Sequence, residues 1–153
     1  IILKILVGVL EKQVLIQWCF SYSKKDAKER RALVQCLKTY LQYSVDVSSD
    51  VDALIISIIF QCCEDQDVFI RTMACECLWF ILDSQYAGQA EEKIYEMSID
   101  PTPAIRSKLL YIFKENNTIH KELINRITLQ LVNDANYVIR KQAKDILETN
   151  LKM

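Results

Sequence analysis

Residues 65–78, DQDVFIRTMACECL, return at 100–113 and again at 134–147. Each copy opens on an aspartate, Asp65, Asp100 or Asp134, and places an arginine, Arg71, Arg106 or Arg140, six positions later. The spacings between copies are 35 and 34 residues. Behind the arginine the apolar columns coincide: Ile70, Ile105 and Ile139; Ala74, Leu109 and Ala143; Cys77, Ile112 and Ile146; Leu78, Phe113 and Leu147. A period of this size describes a stack of similar supersecondary units, in which each unit completes the core of its neighbours.

Only two Gly and two Pro accompany 51% apolar residues, poor material for tight hairpins of strands and good material for helices, so the repeats are predicted to be helical. The expected fold is an all-α solenoid of about four antiparallel helix pairs, with hairpins at 1–43, 51–83, 89–115 and 117–151. Breaks are predicted near 21–26, 44–50, 64–66, 84–89, 99–101, 115–118 and 133–135. Residues 1–20 read as a deeply buried helix, apolar on more than one face. Residues 27–43 carry Leu33, Cys36, Leu37, Tyr40 and Leu41 at helical spacing. In that degenerate first copy Arg30 stands in the arginine column, but Lys24 occupies the aspartate position. Asp65 and Asp100 are expected to cap the helices that follow them, with Pro101 in the first helical position.

Six residues along a helix amount to about 600°, which puts Asp65 and Arg71 on different faces of one helix. The two columns are instead expected to meet between neighbouring repeats, as a ladder of Asp65, Arg71, Asp100, Arg106, Asp134 and Arg140. This pattern, with a small or apolar residue three positions after the arginine, resembles the HEAT repeat, well over 51–151 and weakly over 1–43. The resemblance implies stacked helix pairs whose second helices line one face, in a scaffold that docks proteins or peptides and is not an enzyme. The proline usual in the family's first helices is absent from all four hairpins. The tetratricopeptide repeat shares the period, but its Trp and Leu-Gly signature is missing.

Little else in the chain points to chemistry. If a hairpin turns near Asp65, Cys75 falls beside residue 55, roughly 10 Å along the axis from Cys62, too far for Cys62, Cys63, Cys75 and Cys77 to hold one ion. Free core cysteines in a reducing, intracellular compartment, cytoplasmic or nuclear, are the expectation. His120 is the only histidine and is expected on an exposed helix start, and no glycine-rich phosphate loop occurs. No cofactor and no small-molecule substrate are expected. The first twenty residues are broken by Lys4, Glu11, Lys12, Gln13 and Gln17, which leaves no run long enough for a bilayer.

The formal charge of -1 removes the main electrostatic warrant for nucleic-acid binding. The alternative, a nucleic-acid-associated solenoid, would touch phosphates through the net positive C-terminal hairpins and the basic turn Lys24, Lys25, Lys28, Arg30 and Arg31, where Asp26 and Glu29 are interleaved. Six acidic residues and no basic one lie between Asp46 and Asp67, matching either helix caps or a dock for a basic segment. The expected partners are other proteins in a larger complex. The sequence-based docking surface is Trp79, Leu110, Tyr111, Glu76 and Lys114 on the second helices, the alternative being that Trp79 and Leu110 pack between adjacent repeats. The chain reads as the C-terminal portion of a longer solenoid, closed by a polar last helix, with an apolar first helix that needs a cover.

Overall fold

A computed structural model describes residues 13–43 and 50–151. Residues 1–12, and the predicted break at 44–50 except its last residue, lie outside that span. All regular structure among the described residues is helical. Residues 13–20 form α1, and a single 3-10 turn, Tyr22–Lys24, leads to α2 (Ala27–Tyr43). There follow α3 (Asp50–Cys63), α4 (Val68–Ile81), α5 (Ala87–Ser98), α6 (Pro103–Glu115), α7 (Lys121–Leu131) and α8 (Tyr137–Leu151).

Packing follows the repeat. Helices α3 and α4, α5 and α6, and α7 and α8 pair as hairpins. The second helices α2, α4, α6 and α8 lie side by side in one layer, while α3, α5 and α7 follow one another in a second. The result is a two-layer α-solenoid whose core lies between the layers. The columns headed by Ile70, Ala74 and Cys77 are buried in all three copies. In the fourth, Leu78 and Phe113 are buried and Leu147 is half-buried.

Helix starts differ from the sequence-based expectation in a regular way. The column aspartates stand two residues ahead of the caps. Asp67 caps α4, accepting from the backbone N–H of Phe69 at 2.9 Å and Ile70 at 3.4 Å. Asn136 does the same for Val138 and Ile139 of α8. Thr102 precedes α6, so Pro103 rather than Pro101 begins that helix. Asp65, Asp100 and Asp134 each accept the N–H of the residue two further on, at 2.9, 2.7 and 2.7 Å, which folds the chain into the turn that precedes the cap. Helix α2 is started differently, by Asp26 and Glu29 bonding each other's backbone N–H in a capping box. The break predicted at 84–89 lies earlier, at 82–86, because α4 ends at Ile81 and Gly88 lies inside the first turn of α5.

A further column, that of Cys75 and Leu110, is buried, as the packing alternative for Leu110 has it. Helices α4 and α6, which carry them, each meet a neighbour on both sides within the layer. At the same position α8 carries exposed Lys144.

Cys19, Cys62, Cys63, Cys75 and Cys77 are free and buried, whereas Cys36 is exposed. Burial pushes the thiol of Cys19 up to about 11 and those of Cys62 and Cys75 up to about 12. Thiolates are the reactive form, so alkylation of native protein at neutral pH should label Cys36 first and the other five only on unfolding. Peptide-level mass spectrometry of an alkylation time course checks this.

Candidate functional site

The repeat arginines grip two turns at once. Nη1 of Arg71 donates to the backbone carbonyl of Asp65 at 2.8 Å, that of Arg106 to Asp100 at 2.5 Å, and that of Arg140 to Asp134 at 2.6 Å. Such reach within one repeat was not expected from the helical angle. It is possible because each aspartate lies before its helix and turns its carbonyl towards the arginine. The other edge of the guanidinium faces the following repeat. Nε and Nη2 of Arg71 donate to the Asp100 carboxylate at 2.9 and 3.3 Å, and those of Arg106 to Asp134 at 2.7 and 2.9 Å. Arg30 opens the series, donating to Asp65 at 2.7 and 3.1 Å. Arg71 also donates to the Thr102 hydroxyl at 2.8 Å, and that hydroxyl makes no capping bond to α6.

These pairs are largely withdrawn from water: the Arg106 and Asp134 side chains are 12% and 6% exposed. Hydrogen bonds from Arg106 hold the Asp134 carboxyl below the usual carboxylate range. At Asp65 burial pulls upward, but hydrogen bonds from Arg30 and the Tyr22 hydroxyl, the latter at 2.6 Å, outweigh it and leave the pKa lowered.

A second set of contacts crosses the outer face of the second-helix layer. Glu76 of α4 pairs with Lys38 of α2 on one side and Lys108 of α6 on the other. Burial raises its pKa, but the two ammonium groups more than offset this and lower it. Further along, the Ser107 hydroxyl donates to Gln142 of α8 at 2.9 Å. Tyr111 stands on this face, 57% exposed, with the Lys108 ammonium 5.2 Å from its ring centre. Lys114 is exposed one turn beyond.

Two residues of the sequence-based docking set do not lie on this surface. Trp79 is 8% exposed and Leu110 1%. Leu110 fills the contact between α6 and its neighbours in the layer. Trp79 is covered because the connection after α6 folds back over the end of α4: its ring lies 5.9 Å from Phe113 and meets His120 edge-on at 5.3 Å. His120 is therefore packed rather than on an open helix start. It takes a left-handed backbone, φ 48°, unusual for a residue with a Cβ. Its Nε2 lies 3.2 Å from Asp83 but without hydrogen-bond geometry.

The charge clusters are mostly spent inside the fold. In the basic turn, Arg30 is held by Asp65 and Arg31 by Asp67 at 2.6 Å, while Lys25 pairs with Glu29 at 3.9 Å. Lys24 and Lys28 are exposed. From the acidic stretch, Glu64 bonds Lys93 at 2.7 Å. A cavity of about 320 Å³ opens between α3 and α5, lined by Ile56, Phe60, Tyr86, Gln89, Glu92 and Lys93 among others. No cluster of metal-ligating side chains, and no helix long and apolar enough to cross a membrane, occurs among the described residues.

A family model described as HEAT repeat matches residues 55–84, which covers most of α3, all of α4 and the Asp65–Arg71 turn. No curated protein matches the chain.

Arg106→Ala removes donors from the Asp134 carboxylate and the Asp100 carbonyl together, and should destabilise the fold by about 1 to 3 kcal/mol while leaving helix content intact. Urea titration followed by circular dichroism measures both quantities. Because the folded-state pKa values of Asp65 and Asp134 are lowered, their stabilisation is fully present above the unfolded carboxylate value of ~3.9 and is lost as pH falls below it, through the folded values. In Arg106→Ala that acid-induced loss should be smaller.

Proposed function

We propose that this chain, a HEAT-like repeat protein, is a non-catalytic scaffold that docks partner proteins or peptides on the outer face of its second helices. The observation behind this reading is Tyr111. A phenol more than half exposed, steadied by the Lys108 ammonium and set among Lys38, Glu76, Ser107 and Lys114, has the chemistry of a binding anchor, since tyrosine buries a large area with few rotatable bonds. The surroundings favour it. Lys38 and Lys108 share the single carboxylate of Glu76, so the triad keeps a net positive charge, and Lys114 adds to it. The occupant that complements this face is an acidic segment with an apolar or aromatic side chain to lie against Tyr111. Several buried thiols suit a reducing compartment, cytoplasmic or nuclear.

Tyr111→Ala should leave the melting temperature nearly unchanged, as exposed substitutions shift stability by only about 0.5 kcal/mol. Trp79→Ala, which empties a packed site, should cost about 3 to 5 kcal/mol. Affinity purification with crosslinking from cells then compares wild type with Tyr111→Ala. Partners crosslinked to α4 and α6 and lost with Tyr111→Ala at an unchanged melting temperature support docking here. Equal recovery by the variant, or crosslinks confined to other faces, would contradict it.

A further inference from the structure

The cavity in the first-helix layer takes no part in the ladder or in the face around Tyr111. Its walls are two helical stripes. Ala53, Ile56, Ser57 and Phe60 recur at i, i+3, i+4 and i+7 along one face of α3. Gln89, Glu92, Lys93 and Glu96 repeat that spacing on α5, with Tyr86 just ahead of the helix. The α3 wall is therefore apolar and, at Ala53 and Ser57, small, while the α5 wall is polar and acidic. Helices α4 and α6 lie side by side, but α3 and α5 meet over a shorter stretch, and about 320 Å³ stays open between them in the middle of the stack. We infer that this groove is a docking site for an arginine of a basic peptide segment, its side-chain stem lying on Ile56, Phe60 and Tyr86 and its guanidinium meeting Glu92.

Charge selects that occupant. Lys93 is already committed, its ammonium bonding Glu64 at 2.7 Å and Glu96 at 2.8 Å. Glu92 is exposed and makes no hydrogen bond or ion pair among the described residues. The rim thus sets three carboxylates against one ammonium and keeps a net negative charge. The next interval along the same layer is balanced instead, because Glu91 faces Arg126 of α7 at 3.8 Å. Phe60 and Tyr86 are partly buried against the core, so packing holds their rings before any ligand arrives. An arginine suits such walls: its methylenes cover an apolar floor, and its planar, weakly hydrated head stacks on aromatic faces while it grips a carboxylate through two hydrogen bonds. An apolar segment would cover Glu92 without giving it a partner, and an acidic one would repel it. The link 44–49, which leads into α3, carries Asp46 and no cation, so it does not bring the complementary charge.

The inference shares with the docking reading the premise that partners are proteins, but it concerns the other layer and the opposite charge. The probe is the acetylated, amidated peptide Ser-Arg-Leu-Arg-Ser, titrated into the whole chain. The readout is the methyl resonances of Ala53 and Ile56, which should shift and reach half-saturation at about 1 mM peptide. The same peptide with citrulline, the neutral isostere, in place of both arginines should bind at least about tenfold more weakly. Glu92→Gln should weaken the arginine peptide by about threefold or more. Ser57→Phe, an exposed substitution that fills the groove, should abolish saturation at a nearly unchanged melting temperature. No shift at these methyls up to about 10 mM peptide, an equal response to the citrulline peptide, or undiminished binding by Glu92→Gln or Ser57→Phe overturns the proposal. Methyl shifts that follow protein concentration without peptide would assign the groove to a second copy, and contacts from residues 1–12 or 44–49 to Ile56 in the free chain would assign it to the chain itself. Either result also overturns it. Partner recovery through Tyr111 should be unaffected by Glu92→Gln, so failure of either reading is visible separately.

Discussion

An arginine that cannot leave its own turn holds the repeats in register. Its Nη1 is tied to a carbonyl six residues back, and its remaining edge therefore points at one place, where the next repeat sets an aspartate. Lysine could not do this, because a single ammonium has no second, rigidly oriented pair of donors. The aspartate is equally constrained. It accepts the N–H two residues on, which shapes the turn before the cap, and presents its carboxylate outward to the preceding repeat. Turn geometry and the spacing of neighbouring second helices are thereby linked through one buried pair.

Other features follow from that spacing. With the second helices held side by side, Glu76 lies within reach of lysines on both neighbours, and Ser107 within reach of Gln142. The same closeness buries Cys75 and Leu110. The side chains left to face solvent on this layer include Tyr111 in the middle of α6 and, at the starts of α4 and α8, Val68, Phe69, Tyr137 and Val138. In this way the contacts that fix the stack also decide which groups are free to meet a partner.

The periodic part of this architecture was legible in the sequence. Aspartate and arginine columns at a constant offset, with four apolar columns behind them, are enough to give the helix pairs and their stacking. What could not be read were contacts that depend on how far one element reaches over another. Trp79 shares its column with polar Lys114 and Glu148, so periodicity places it outside, yet the connection ending at His120 covers it. Leu110 reads as part of the same cluster as Trp79 and Tyr111, yet it is buried, while Lys144 at the same position of α8 is exposed, where no following helix lies against it among the described residues. The caps expected at Asp65 and Asp100 fall two residues later, because these aspartates are good capping residues themselves. The competing signal was present in Asp67, Thr102 and Asn136, which recur two positions after each aspartate.

The claim that buried pairs between repeats set the stack is tested most directly by a double-mutant cycle on Arg71 and Asp100, using Arg71→Gln, Asp100→Asn and the two combined, with stability read from urea unfolding. These side chains are 13% and 9% exposed. A coupling energy of about 1 to 3 kcal/mol is predicted, with the double variant much less destabilised than the sum of the single ones. Additivity to within about 0.5 kcal/mol would mean that the pair does not hold the repeats together, and would contradict the account.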